Sequence, residues 1–459
     1  MSATPISDAL ADLRSQGVEA VARSHASYAE TRRQMSWNRR LADARSPDLI
    51  VRPGRVNDLA LAVKIARKHG LRVSPRGGGH SYEAAALRDG GMLLDLSRLN
   101  GITIDAGRRT AHVGVGVHGG DLLRELARHG LAFPVGHCPD VSLSGYLLSG
   151  GFGWNSGTWG PACSSLLEVD VVLADDSVST ASEAVNADIL WAARGAGAGF
   201  PAIATGYRLQ LHPLPGAVQV WNAKLPAERA PEIAAWLTRA NSEAHPSSEL
   251  TCMVGPDIKT GKPVISLRVV GIGSDQAEAR HNIAPFLEPS SAAACLDEVG
   301  GETIDFVGVT DLPAMPPGKR VEADHLWSDS TVGDMLLAVH HSAGRPRKAS
   351  AINIFATGGS TRMPRFPNGE TGALSIGGGN EAGIYAMWDD PEEDDLHIEW
   401  VRAADLALAP HRTGRYVGEA NLSIEKARIA ECFSPEALAR IETLKERYDP
   451  ESVLHGFPG

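Results

Sequence analysis

The stretch Gly136-His137-Cys138-Pro139-Asp140-Val141-Ser142-Leu143-Ser144-Gly145-Tyr146-Leu147-Leu148-Ser149-Gly150-Gly151-Phe152-Gly153-Trp154 restricts the fold more than any other part of the sequence. It sets one thiol ahead of a proline and then releases the backbone into repeated glycines. Glycine reaches positive φ at little cost and lets the main chain touch a ligand with no Cβ between them. Upstream, Arg76-Gly77-Gly78-Gly79-His80-Ser81-Tyr82 does the same with an imidazole. Either loop alone says little. A lone cysteine is commonly an inert small hydrophobe, and a histidine after glycines often only caps a turn. Two such loops, each presenting one nucleophile, point to one large cofactor held from two sides.

At 459 residues the chain exceeds one typical core, so two domains are expected. Lys plus Arg is 44 against 55 for Asp plus Glu, a net charge of −11, which argues against a nucleic-acid surface, since that would need a basic face. The compact basic run Arg345-Pro346-Arg347-Lys348 reads as a solvated turn. Cysteines stand at 138, 163, 252, 295 and 432, an odd and sparse set that suits reduced thiols. Their spacing suggests no zinc, and no metal is expected. His340-His341 reads as surface, since adjacent residues point apart. The first residues lack a basic region followed by an apolar run, and no stretch approaches membrane-span length. A cytoplasmic protein with no membrane partner is the expectation. Residues 7–40 read as a charged amphipathic helix lying on the first domain.

From Pro47 strands and helices alternate. Leu49 to Pro53 is a strand, and Asn57 or Asp58 caps the next helix, which Gly70 ends. Leu71 to Ser74 is a strand running into the triglycine loop. Strands follow at 92–96, 102–105 and 110–117, then a helix from Asp121 to His129. Beyond the cysteine loop come the strand Leu167 to Ala174 and the short helix Ile189 to Arg194. Gly195-Ala196-Gly197-Ala198-Gly199 follows that helix and precedes a strand, Ala202-Ile203-Ala204-Thr205. A dinucleotide fingerprint has the opposite order. Gly271-Ile272-Gly273 does follow a strand, but Asp275 and Gln276 spoil its phosphate approach. Neither is an NAD site.

The proline-rich Leu211 to Gly216 marks a boundary. Strands at 218–225, 250–254 and 264–270, with helices at 229–244 and 275–287, suit an antiparallel sheet covered by helices. Residues 312–320 and 357–383 read as substrate-facing loops. The acidic run 389–395 reads as a solvated turn and helix start, leading into a helix over 394–409. Arg415-Tyr416-Val417 reads as a strand, and 434–447 as a closing helix.

The two loops resemble those of the berberine bridge enzyme family of FAD-linked oxidases, within the vanillyl-alcohol oxidase class. Members carry Arg-(Ser/Gly)-Gly-Gly-His, matched by Arg76 through His80. They also carry Cys-Pro-x-(Val/Leu)-Gly-x-Gly-Gly-His-x-x-Gly-Gly-Gly-x-Gly, matched by Cys138, Pro139, Val141, Gly145, Gly150, Gly151 and Gly153. Ser142, Ser144, Tyr146 and Ser149 depart from it, and Pro201 replaces a later glycine of the family pattern. Tyr28, Arg32, Trp37-Asn38 and Arg447-Tyr448-Asp449-Pro450 extend the likeness over nearly the whole chain.

The resemblance implies an α+β fold. A two-part FAD-binding domain of PCMH type would span 1–212 and 413–459, and a substrate domain with an antiparallel sheet covered by helices would span 213–412. It implies FAD joined to His80 at the 8α position and to Cys138 at C6. Imidazole is substantially neutral near pH 7, whereas a thiol with pKa about 8.5 needs help to ionise. It further implies contacts to the cofactor from Arg76, Gly77, Gly78, Gly79, His80, Ser81, Tyr82, Cys138, Val141, Ser142, Gly145, Tyr146, Gly150, Gly151, Gly153 and Ile203. The reaction would be hydride transfer from a small hydroxylated or amine substrate to flavin N5, while a base removes the other proton. Tyr416 and Glu419 stand where the family reads Tyr-x-Asn-Tyr, and are the candidate catalytic pair. Tyr146, Tyr385 and Trp388 would shape the pocket. Val141 stands where the family's valine accompanies O2 as acceptor. A dehydrogenase or cyclase of the same family, a flavin carrier and an NAD-dependent alcohol dehydrogenase are the rival readings, the last disfavoured by the missing fingerprint.

Overall fold

The computed structural model describes residues 5–257, 259–287, 297–311, 315–316, 318–344, 350–360 and 370–458. The basic run at 345–348, Cys295 and parts of both loop-rich segments lie outside the described residues.

The N-terminal arm is not one helix. It is a helix over Pro5–Ser15, strand β1 (Glu19–Ala22) and helices Tyr28–Arg33 and Arg39–Ala44. Gly17, at φ +75, stops the first helix and turns the chain back. Ala9 and Leu13 are thereby buried with Leu59, Ala62, Val63 and Ala66, the apolar stripe of helix Val56–Lys68. That helix starts two or three residues earlier than expected. Asn57 and Asp58 therefore lie inside its first turn, and Arg55 holds the cap position.

Strands β2 (Leu49–Arg52), β3 (Val73–Arg76) and β4 (Met92–Asp95) join β1 in the order β1-β2-β4-β3. β4 runs parallel to both β2 and β3, so the crossover Val56–Lys68 helix is obligatory. A second sheet is antiparallel. It uses β5 (Ile102–Asp105), β6 (Thr110–Gly114), β8 (Leu166–Val172), β9 (Val178–Ser182) and β10 (Ile203–Gln210), in the order β5-β6-β10-β8-β9. The short pair β7 (Leu131–Ala132) and β11 (His212–Pro213) lies at the exit from this part.

The third sheet is antiparallel throughout: β12 (Ala217–Pro226), β13 (Ser248–Pro256), β14 (Pro263–Gly273), β15 (Asp297–Ile304), β16 (Arg320–Ser328), β17 (Ala351–Thr357), β18 (Asn380–Trp388) and β19 (Arg412–Gly414). Their order is β15-β12-β14-β13-β17-β18-β16-β19. Successive side chains alternate faces. Ile352, Ile354, Ala382 and Ile384 pack under helices Ala230–Glu243, Val332–Val339 and Asp394–Leu408 in a core of their own. Their neighbours Asn353, Phe355, Glu381, Tyr385 and Met387 face the other way, into a cavity.

β19 ends at Gly414, before the strand expected over 415–417. Arg415 is the cause. Its guanidinium turns inward to Asp324 at 3.0 Å, Asp405 at 2.9 Å and Glu431 at 2.7 Å. The Tyr416 N–H then donates to His325 Nδ1 at 3.3 Å instead of to a ladder carbonyl. The acidic run is likewise not purely solvated: Asp394 accepts from Arg320 at 2.6 Å and from Trp388 Nε1 at 2.8 Å. Helix Pro435–Tyr448 closes the fold, capped by the Ser434 hydroxyl. Among the described residues no His/Cys/Asp/Glu group could hold a metal, and no helix is long and apolar enough to cross a membrane.

Candidate active site

The two glycine loops and the helix-free face of the third sheet enclose one cavity of about 790 Å³. That is at the upper end of the range for small-molecule sites, about 300–1,000 Å³. Arg76, Gly77, Gly78, Gly79, His80, Ser81 and Tyr82 line one side, and Cys138, Val141, Ser142, Gly145 and Tyr146 line the next.

The histidine loop is rigidly built. The Arg76 guanidinium sits 2.9 Å from Asp95 and donates to Met35 O at 3.1 Å and to Gly78 O at 2.9 Å. Gly79 has φ +73, and a Cβ there would lie 2.4 Å from Met35 O, so only glycine fits. Trp37 Nε1 donates to His80 O at 3.0 Å, and Asn38 Nδ2 donates to Tyr82 O at 2.7 Å. These are the arm residues singled out in the sequence. The imidazole Nε2 of His80 lies 3.0 Å from Asp140 Oδ2.

In the cysteine loop, burial pushes the Cys138 thiol up to about 11, with Asp140 and Glu419 adding to the shift. His137 Nε2 lies 3.0 Å from Glu249, which also accepts from the Asn155 N–H at 2.5 Å. Burial pulls the His137 proton affinity down, but Glu249 outweighs it and the imidazole ends above its ordinary value. Four expected contacts are absent from the cavity wall. Ile203 points into the core because its strand neighbours Ala202 and Ala204 take the cavity side. Gly150, Gly151 and Gly153 lie behind the wall. A Cβ on Gly151 would meet the Tyr146 ring at 2.8 Å, and one on Gly153 would meet Val135 O at 2.1 Å.

The opposite end of the cavity carries the acid–base groups. The Tyr385 hydroxyl donates to Glu419 Oε2 at 2.7 Å. Burial raises the Glu419 carboxyl above the usual range, and Glu381 adds to it, against the pull of His325 and Tyr385. Glu381 lies 3.0 Å from the buried His325. Tyr416 packs edge-on against Phe152, Trp327 and His325, and its hydroxyl accepts from the Gly151 N–H at 3.2 Å. Burial lifts the Tyr82, Tyr385 and Tyr416 phenols well above their usual range. Trp388, expected in the pocket, faces the helices instead. Glu381, His325, His137 and Asp140 drew no notice in the sequence. Alternation with Tyr385 along β18 is the signal that would have found Glu381.

The residues present fit a flavin dinucleotide. A Cβ on Gly77 would meet Ser144 Oγ at 1.7 Å, so the histidine loop packs directly against the serines of the cysteine loop while both nucleophiles stay on the wall. Residues 47–182, which contain both loops, match a family model described as an FAD binding domain. An FAD-linked oxidoreductase of Hypoxylon pulicicidum is 28% identical over 90% of each chain. The (R)-6-hydroxynicotine oxidase of Paenarthrobacter nicotinovorans is 29% identical over 88% of this chain and 89% of its own. The solved structure of berberine bridge enzyme from Eschscholzia californica superposes with a TM-score of 0.85 at 19% identity, over 98% of each chain. Fold and site thus combine an FAD-binding domain over residues 47–182 with the overall fold of berberine bridge enzyme. Over about nine-tenths of its length the chain is similar to FAD-linked oxidoreductases, and it shares their flavin-binding domain.

Proposed function

We propose that the chain is an oxidase that holds FAD through covalent links to His80 and Cys138. It would oxidise a small hydroxylated or amine-containing molecule and use O2 as acceptor, giving hydrogen peroxide. The observation that carries this reading is the presence of both nucleophiles on the wall of a single cavity. The lining residues of the two glycine loops would hold the cofactor, chiefly residues 1–212 and 413–459, with 213–412 presenting the substrate. The separate core between the third sheet and its helices, wholly within 213–412, supports that division. Bound FAD supplies hydride acceptance at N5, and the protein positions and tunes it.

Glu419 takes the substrate's O–H or N–H proton. Its raised carboxyl brings its proton affinity nearer neutrality, where a base works best, and Tyr385 fixes its Oε2. Tyr416 stays protonated and acts as a hydrogen-bonding wall residue. Glu381 with His325 forms a second polar point for orienting substrate. Relatives named for oxidation of 6-hydroxynicotine and of xylooligosaccharide support both substrate classes. The buried unpaired thiols Cys163, Cys252 and Cys432 support a reducing, cytoplasmic setting.

The test is anaerobic mixing of the holoprotein with a panel of small alcohols, sugars and amines. Bleaching of the flavin by one of them, followed by peroxide on admitting air, is expected. Bleaching that persists in air until a quinone is added would make the chain a dehydrogenase.

A further inference from the structure

The covalent reading leaves open how His80 is made a nucleophile and through which nitrogen. Among the described residues, one charged group meets its ring: Asp140, whose Oδ2 lies 3.0 Å from Nε2. Asp140 comes from the other loop, two residues beyond Cys138, so one short segment carries both the thiol and the histidine's partner. Its second oxygen, Oδ1, is buried with no hydrogen-bond partner among the described residues. A carboxylate with one oxygen idle and the other on an imidazole is committed to that contact. The backbone around it is fixed: Pro139 O accepts from the Gly120 N–H at 2.9 Å, and Val141 O accepts from the Gly119 N–H at 2.9 Å. On the histidine side, Trp37 holds the His80 carbonyl.

We propose that Asp140 is the positioning residue for flavin attachment, holding the His80 proton on Nε2 so that Nδ1 bonds the flavin's 8α carbon. The hydrogen bond made by one ring nitrogen decides which nitrogen keeps the proton and which keeps the lone pair. The His80 contact in turn holds the Asp140 carboxyl below the usual range despite burial, so the partner is an anion at neutral pH. During attachment the 8α carbon loses one hydrogen and Nδ1 forms the C–N bond. The imidazole gives up its Nε2 proton along Asp140. The electron pair and two protons pass to the flavin, and O2 removes them as hydrogen peroxide. Asp140 also stabilises the positive charge that builds on the ring as the bond forms.

This inference rests on the covalent reading, and the experiment separates the two. Full-length apoprotein carrying Cys138→Ala, so that only His80 reports, is mixed with FAD in air. Flavin retained after acid precipitation is followed in time, and initial FAD binding is read by fluorescence quenching. Asp140→Asn and Asp140→Ala are expected to bind FAD as before but to attach it about tenfold or more slowly, as loss of an orienting carboxylate does elsewhere. Asp140→Glu restores most of the rate. NMR of the flavin peptide is expected to show the bond at Nδ1 with Asp140 present, and a mixture with Nε2 in Asp140→Ala. Attachment at an unchanged rate and solely at Nδ1 in both variants would overturn the role of Asp140. Release of all flavin from the parent carrying intact His80 would overturn the covalent reading at His80 and this inference with it.

Discussion

Glu419 and Cys138 carry the sharpest expectations at the scale of single residues. Glu419→Gln removes the base at nearly constant volume, and anaerobic flavin reduction is expected to slow about 10²–10⁴-fold. Tyr416→Phe is expected to change it little, because that hydroxyl is held by the Gly151 N–H. The reduction rate of the parent rises with pH as Glu419 ionises, through a midpoint above the usual carboxylate range, and this limb disappears in Glu419→Gln. Stability runs the other way. At acid pH both folded and unfolded chains keep Glu419 protonated. As pH rises, the unfolded chain ionises first, so the raised folded pKa costs stability at neutral pH. Glu419→Gln is therefore expected to raise Tm near pH 7 but not near pH 4, measured by calorimetry; an equal shift at both would contradict the buried carboxyl. For Cys138, pushed up to about 11, only the thiolate attacks. In His80→Ala, acid-stable flavin attachment is expected to speed up about tenfold per pH unit between pH 7 and 9, and a flat profile would contradict it.

The elements that meet at the cavity make two further expectations. Gly77→Ala would drive a methyl onto the Ser144 hydroxyl, and overpacking of that kind costs about 1–3 kcal/mol. Its lowered Tm is expected to recover in the double variant with Ser144→Gly, and no recovery would place the strain elsewhere. Val141 lines the cavity, and Val141→Leu adds one methylene in a close-packed wall. Stopped-flow reoxidation by air is expected to slow while substrate-driven reduction holds; unchanged reoxidation would remove Val141 as a gate. Both loops were legible because a run of glycines beside a single nucleophile marks backbone that must reach positive φ or touch a ligand. The wall opposite them was not. In β18, apolar side chains occur on both faces: Ala382 and Ile384 under the helices, Tyr385 and Met387 in the cavity. Reading 357–383 as a loop hid the start of this strand, so the alternation that pairs Glu381 with Tyr385 was missed, and Trp388 was placed with them although its parity puts it under the helices. The strand expected at Tyr416 failed for a longer-range reason, since Arg415 turns inward to Asp324, far away in sequence.

Across the whole molecule, the site exists only where separate parts meet. Asn38 of the arm donates to Tyr82 O in the histidine loop and to Val321 O in the third sheet, at 2.7 and 3.1 Å, tying three segments together. Alternation of strand and helix made the overall order of the fold readable along the chain. The arm was misjudged as one helix, because its burial depends on a neighbouring helix that local periodicity does not reveal. One flavin joined to both loops at once, across the contact between Gly77 and Ser144, is the arrangement proposed above. The most direct measurement is the intact mass of the denatured wild-type protein, followed by peptide mapping. A mass increase of one FAD is expected, carried by peptides containing His80 and Cys138 that stay joined through the flavin after proteolysis. An unmodified mass, with all the flavin released into the supernatant, would contradict it.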